Sequence, residues 1–94
     1  MEPARKLLQT AWGLQATGDI DGAAAICEEV LGREPENASA LHALGVAMNR
    51  REDFPRAADL LERAVARRPS DPVYHVDLGE SYRNLGQYRR ATAL

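Results

Sequence analysis

A chain of 94 residues makes one small domain, whose modest core holds only if the packing is regular. Apolar residues are 45% of it, which excludes a disordered chain, and one Phe, one Trp and three Tyr beside abundant alanine favour closely packed helices over an aromatic-rich β-sandwich. A net charge of −2 gives no bulk electrostatic reason for nucleic acid or an anionic membrane as partner, and the single Cys27 excludes a disulfide framework or a multi-cysteine metal site.

The opening stretch, "MEPARKLLQTAW", has no long apolar run and reads as neither signal peptide nor membrane span, so a cytoplasmic setting is expected. Periodicity predicts a first helix from about Ala4 to Thr17, a "GDID" turn, and a second helix from about Gly22 to Gly32. Cys27 lies in the apolar "AAAIC" of that second helix and reads as a small buried hydrophobe. Asn37 is the expected N-cap of a third helix reaching about Arg51. After the "RREDFP" turn, Pro55 falls in the first turn of a fourth helix, where its missing N–H costs nothing. Arg67, Arg68 and Pro69 mark the end of that helix, with cations at the negative end of the dipole and a proline that cannot continue it. "RPSDP" then takes the role of "EPENA", a fifth helix carries "HVDLGESYRNLG", and a sixth is expected to start near Tyr88. No Gly, Asn or Pro closes it before Leu94, so the sequence reads as the N-terminal piece of a longer protein.

The chain repeats itself. "LHALGVAMNRREDFPRAADLL" lies over "HVDLGESYRNLGQYRRATAL" at an offset of 34 residues, which carries Gly45 to Gly79, Phe54 to Tyr88 and Ala57 to Ala91. The same offset backwards carries Leu41 to Leu7, Ala57 to Ala23 and Pro69 to Pro35. The middle unit supplies Leu41, Leu44, Gly45, Met48, Ala57, Leu61, Ala64 and Pro69. On this spacing the chain resembles the tetratricopeptide repeat family, whose pattern is W-x2-L-G-x2-Y, then A-x3-F, then P. Its style is also similar to bacterial arms of this family fused to glycosyltransferase-like enzymes. The resemblance covers nearly the whole chain. It implies an all-α, right-handed superhelical stack with units at 4–37 and 38–71 and an incomplete one at 72–94. Gly45, Gly79 and Ala11 would be the small residues where paired helices cross, opposite Ala57, Ala91 and Ala23.

No chemistry is expected within these residues. His75 takes the family's aromatic position and reads as packed, and His42 should turn toward the groove. A zinc site needs three or four ligands, so neither a metal nor another cofactor is expected. The pairs Glu28–Glu29 and Glu52–Asp53 read as solvated. Catalysis is not expected either. What remains is a surface, and the resemblance implies a concave groove that takes a peptide or a partner helix. Carried over, that groove shows Arg5, Leu8, Trp12 and Gln15 from the first unit and Ser39, His42, Val46, Asn49 and Arg50 from the second. Val73, Val76, Glu80, Arg83 and Asn84 come from the third. Trp12 is the sharpest candidate anchor, with packing at the open end of the row as its alternative.

The carboxylate clamp of the family's chaperone-tail binders is missing, since its places carry Leu8, Trp12, Ala43, Val73 and Asp77. The asparagine ladder of the O-linked N-acetylglucosamine transferases is also absent, with Gln9, Ala43 and Asp77 in its positions. Residues 1–47 carry three basic and seven acidic groups, and residues 48–94 carry nine basic and seven acidic. The arginine pairs read as solvated ends of helices, while Arg50 and Arg83 would favour an acidic ligand if they face the groove. The leading expectation is a protein–protein interaction module without enzymatic activity. The alternative is the regulatory or substrate-recruiting arm of an enzyme, and a third is self-assembly. An uncovered terminal face carrying Leu78, Tyr82, Tyr88, Ala91 and Leu94 leads to an expected dimer or end-to-end association.

Overall fold

The computed structural model describes residues 2–93, with side chains through residue 90. Five helices run in order: α1 (Ala4–Ala16), α2 (Ile20–Arg33), α3 (Ala38–Arg50), α4 (Phe54–Arg67) and α5 (Pro72–Ala93). Among the described residues there is no strand. α1 packs on α2 and α3 on α4 as two hairpins, and α2–α3 and α4–α5 contacts join the units into an elongated body of 48 × 29 × 20 Å. A single apolar cluster runs from Leu8 through Leu41, Leu44 and Met48 to Tyr74, so the core is a continuous seam.

Local signals set the helix ends. Asp19 Oδ1 accepts from Gly22 N at 2.9 Å and Asn37 Oδ1 from Ala40 N at 3.0 Å, capping α2 and α3. Asp71 Oδ1 accepts from Val73 N and Tyr74 N at the start of α5. Both intra-unit turns are Schellman motifs: Gly18 N–H donates to Gln15 O and Asp19 N–H to Leu14 O, while Glu52 N–H donates to Asn49 O and Asp53 N–H to Met48 O. The motif needs a left-handed residue, and Gly18 (φ 91°) and Glu52 (φ 61°) supply it. Glu52 holds that conformation at a cost of about 1–2 kcal/mol that a glycine would not meet.

Gly86 occupies the same register as Gly18 and Glu52, yet it is helical and α5 runs straight through it. The expected turn there and the separate sixth helix near Tyr88 are therefore corrected. In the first two units the returning helix repays its turn by burying Ala23, Cys27 and Val30, or Ala57, Leu61 and Ala64. Past Gly86 the i to i+4 hydrogen bonds continue through Ala93, which avoids the cost of nucleating a new helix.

Three further expectations change with it. Among the described residues no helix crosses α5 at Gly79, where an added Cβ would meet nothing within 4 Å. His75 is exposed, its Nε2 2.6 Å from Pro69 O, and the buried aromatic is its neighbour Tyr74. Tyr88, expected on the uncovered terminal face, meets Phe54 of α4 edge-on at 6.2 Å. Leu78 is half-buried and Tyr82 is 49% exposed, while the side chain of Ala91 and all of Leu94 lie outside the described residues.

The α3–α4 crossing is where packing is tightest. A Cβ on Gly45 would lie 2.7 Å from Leu61 Cγ, closer than real carbons approach. The first unit has Ala11 and Cys27 in these two places, both fully buried. The extra methyl on the first helix is matched by a smaller side chain on the second.

Charge asymmetry between the halves also has a structural meaning. Arg51, Arg56 and Arg67 of the second unit pair with Asp21, Glu28 and Glu36 of the first, at 3.4, 2.9 and 3.8 Å. These arginines reach across the stack and are not merely solvated helix ends. Each exposed pair contributes about 1 kcal/mol at most, but together they favour one register.

These contacts predict opposite effects for two glycines. Gly45→Ala should destabilise the fold by about 1–3 kcal/mol through overpacking. Gly79→Ala should stabilise it by up to about 1 kcal/mol through helix propensity. Urea unfolding of both variants checks the pair, and a loss at Gly79 equal to that at Gly45 would show a helix crossing there.

Candidate functional site: the shared face of α1, α3 and α5

The first helix of each unit contributes to one face, and three rings form a line across it. Trp12 of α1 lies 5.4 Å from His42 of α3, tilted by 47°, and His42 stacks on Tyr74 of α5 at 4.5 Å. Arg68 closes the row, with its guanidinium 5.9 Å from the centre of the Tyr74 ring and Nη1 donating to Tyr74 Oη at 3.2 Å. His42 Nε2 is 2.6 Å from Asp77 Oδ2. These contacts hold one side of Trp12 while leaving the residue 38% exposed.

Polar contacts tie the same helices together lower down. Gln15 Nε2 donates to Ala43 O at 3.0 Å, and Asn49 Nδ2 to Ser81 Oγ at 2.8 Å. Arg50 Nη1 donates to Gln15 O at 2.6 Å, placing a cation at the negative end of α1. Gln15 Oε1 and Asn49 Oδ1 are buried with no hydrogen-bond partner among the described residues.

The expected groove residues therefore divide. Arg5, Trp12, Arg50, Val73, Val76, Glu80 and Arg83 are exposed, and Ser39, Val46, Asn49 and Asn84 are half-buried. Gln15 and His42 are corrected: both are buried, because α1, α3 and α5 approach closely enough to use them as helix-to-helix contacts. Leu8 is also buried, but it lines a cleft. Arg50, though exposed, is committed to the end of α1.

That cleft, about 490 Å³, lies at one end of the face. Arg5, Leu8, Gln9 and Trp12 of α1 form one wall, Asn37, Ala38 and Ser39 at the start of α3 form the other, and Arg68 joins them. Arg68 and Tyr74 were not expected here. Tyr74 stands one position before the family's aromatic site, and the nearest sequence signal was the ring adjacent to His75. A second depression, between α2 and α4, is lined by two ion pairs, Arg56 with Glu28 and Arg63 with Asp59.

Among the described residues no three His, Cys, Asp or Glu side chains gather as a metal group, and no helix is long and apolar enough to cross a membrane. The Cys27 thiol is pushed up from its ordinary value of 9.0 to about 11, first by burial and second by the charge of Glu28. The folded state thus resists ionising a thiol that the unfolded chain ionises readily. This contribution to stability is complete below pH 9 and is lost as pH rises toward 11. Cys27→Ala should flatten the loss of stability across that range in urea titrations, and an unchanged slope would contradict the assignment.

Stacked helical hairpins define the class: a helical-repeat module. A family model described as tetratricopeptide repeat matches residues 14–75, and the chain belongs to that family. The chain is 31% identical over 80 residues to the human "N-alpha-acetyltransferase 25, NatB auxiliary subunit", and equally to the mouse protein, matching 85% of its own length. It spans only 8% of those relatives. Among solved structures it is similar to a mutant O-GlcNAc transferase of Thermobaculum terrenum. There the TM-score is 0.81 and the identity 37%, over 83% of this chain and 15% of that one.

Proposed function

We propose that the chain is a protein–protein interaction module that binds an extended peptide or partner helix on the concave face of α1, α3 and α5. The observation that supports this best is Trp12: a large apolar side chain, backed by the His42–Tyr74 stack and open to solvent beside a cleft. An anchor already held in place loses little entropy on binding. Val73 and Val76, 55% and 68% exposed, extend the apolar surface along α5. A cytoplasmic setting belongs to this reading. A peptide selected from a random library should move backbone resonances of α1, α3 and α5 and spare α2 and α4. Trp12→Ala should weaken that peptide by about 2 kcal/mol with the helical content kept. A collapse of the melting temperature with binding unchanged would assign Trp12 to the core instead.

The relatives favour a second reading, in which this module is the recruiting arm of a larger enzyme or enzyme complex. One relative is named an auxiliary subunit of an acetyltransferase and the other a transferase. On this reading the module itself performs no catalysis. A third role, association through the uncovered side of α5, is supported by Tyr82, Leu78 and Tyr88. Sedimentation should then show a dimer at high protein concentration that Tyr82→Glu dissociates, and a monomer throughout would end this reading.

A further inference from the structure

We infer that the cleft beside Trp12 takes an acidic peptide segment carrying one bulky apolar residue, a proposal that rests on the interaction reading above. Its floor is apolar, made by Leu8 and the exposed side of Trp12, which suits the apolar residue. Its flanks are cationic. Arg5 lies on one side, exposed and in no ion pair among the described residues, and Arg68 lies on the other, held in place by Tyr74. No carboxylate lines the cleft among the described residues, and two guanidinium groups face it. α3 also directs the positive end of its dipole there, next to its cap Asn37. Guanidinium groups pair with carboxylates through two parallel hydrogen bonds, which gives direction as well as attraction.

The rest of the chain argues against a general polyanion site. The chain carries a net charge of −2, so a long nucleic acid gains no bulk attraction beyond the cleft. A short acidic segment needs none. The apolar floor between the cations also selects for a peptide with an apolar side chain among its carboxylates.

Two unlabelled peptides of equal length, free of tryptophan, test this: one phenylalanine flanked by Asp and Glu, and the same phenylalanine flanked by Lys. Trp12 is the only indole, so its emission reports on the cleft directly. The acidic peptide should shift that emission to shorter wavelength and bind more weakly as salt rises. The lysine peptide should do neither. Arg5→Glu should weaken the acidic peptide about tenfold or more without altering the melting temperature. Arg68→Gln should weaken it too, and Arg5→Lys should retain part of the affinity.

Equal binding of the two peptides would overturn the proposal, as would indifference to Arg5→Glu or an oligothymidylate that shifts Trp12 as strongly as the acidic peptide. Failure of the acidic peptide while a library-selected peptide still maps to α1, α3 and α5 would overturn the acidic preference alone. Failure of both would remove the interaction reading as well.

Discussion

The structure depends on how closely two helices can approach at one crossing. With no side chain on Gly45, Leu61 of α4 fills the space where a Cβ would stand. That contact fixes the distance between α3 and α4, and this distance sets how each neighbour packs. α2 and α5 flank the pair, and the buried seam from Leu8 to Tyr74 passes through it. Since protein interiors are packed at crystal-like density, a small displacement here would be felt along the seam. The first unit solves the same problem with Ala11 and Cys27, so what is kept between units is a combined volume.

The shared face of α1, α3 and α5 inherits its order from that spacing. α1, α3 and α5 lie close enough for Gln15 to reach Ala43, Asn49 to reach Ser81, and His42 to reach both Asp77 and the Tyr74 ring. Side chains that a generic groove would offer to a ligand are spent on joining helices. The exposed remainder is an indole, two valines, a glutamate and several arginines.

Much of the fold was legible in the sequence because the offset of 34 residues is visible in glycines, alanines and prolines that each have one structural use. Four helices begin and end within about two residues of where capping and breaking signals place them. The third unit was not legible. The overlay placed a turn at Gly86, but a turn forms only when the returning helix can bury enough surface, and local residues do not record that balance. With no helix crossing it, α5 buries only the side that faces α3 and α4, which hides Tyr74 and exposes His75. The candidate site was half legible. Trp12 and Arg5 followed from the pattern, whereas Arg68 and the burial of Gln15 and His42 depend on contacts between units.

The arginines that bridge the two full units carry a consequence for the order of modules. At the places of Arg51, Arg56 and Arg67, the first unit has Thr17, Gly22 and Arg33. At the places of their partners Asp21, Glu28 and Glu36, the second unit has Pro55, Glu62 and Ser70. A duplicate of the second unit set behind itself would therefore find one of three carboxylates, and a duplicate of the first would bring one of three arginines. These hairpins share a shape but are not interchangeable bricks. Their succession is written in surface charge, as a key is cut for one lock, so shuffling or duplicating them would keep the architecture and lose the fit between neighbours.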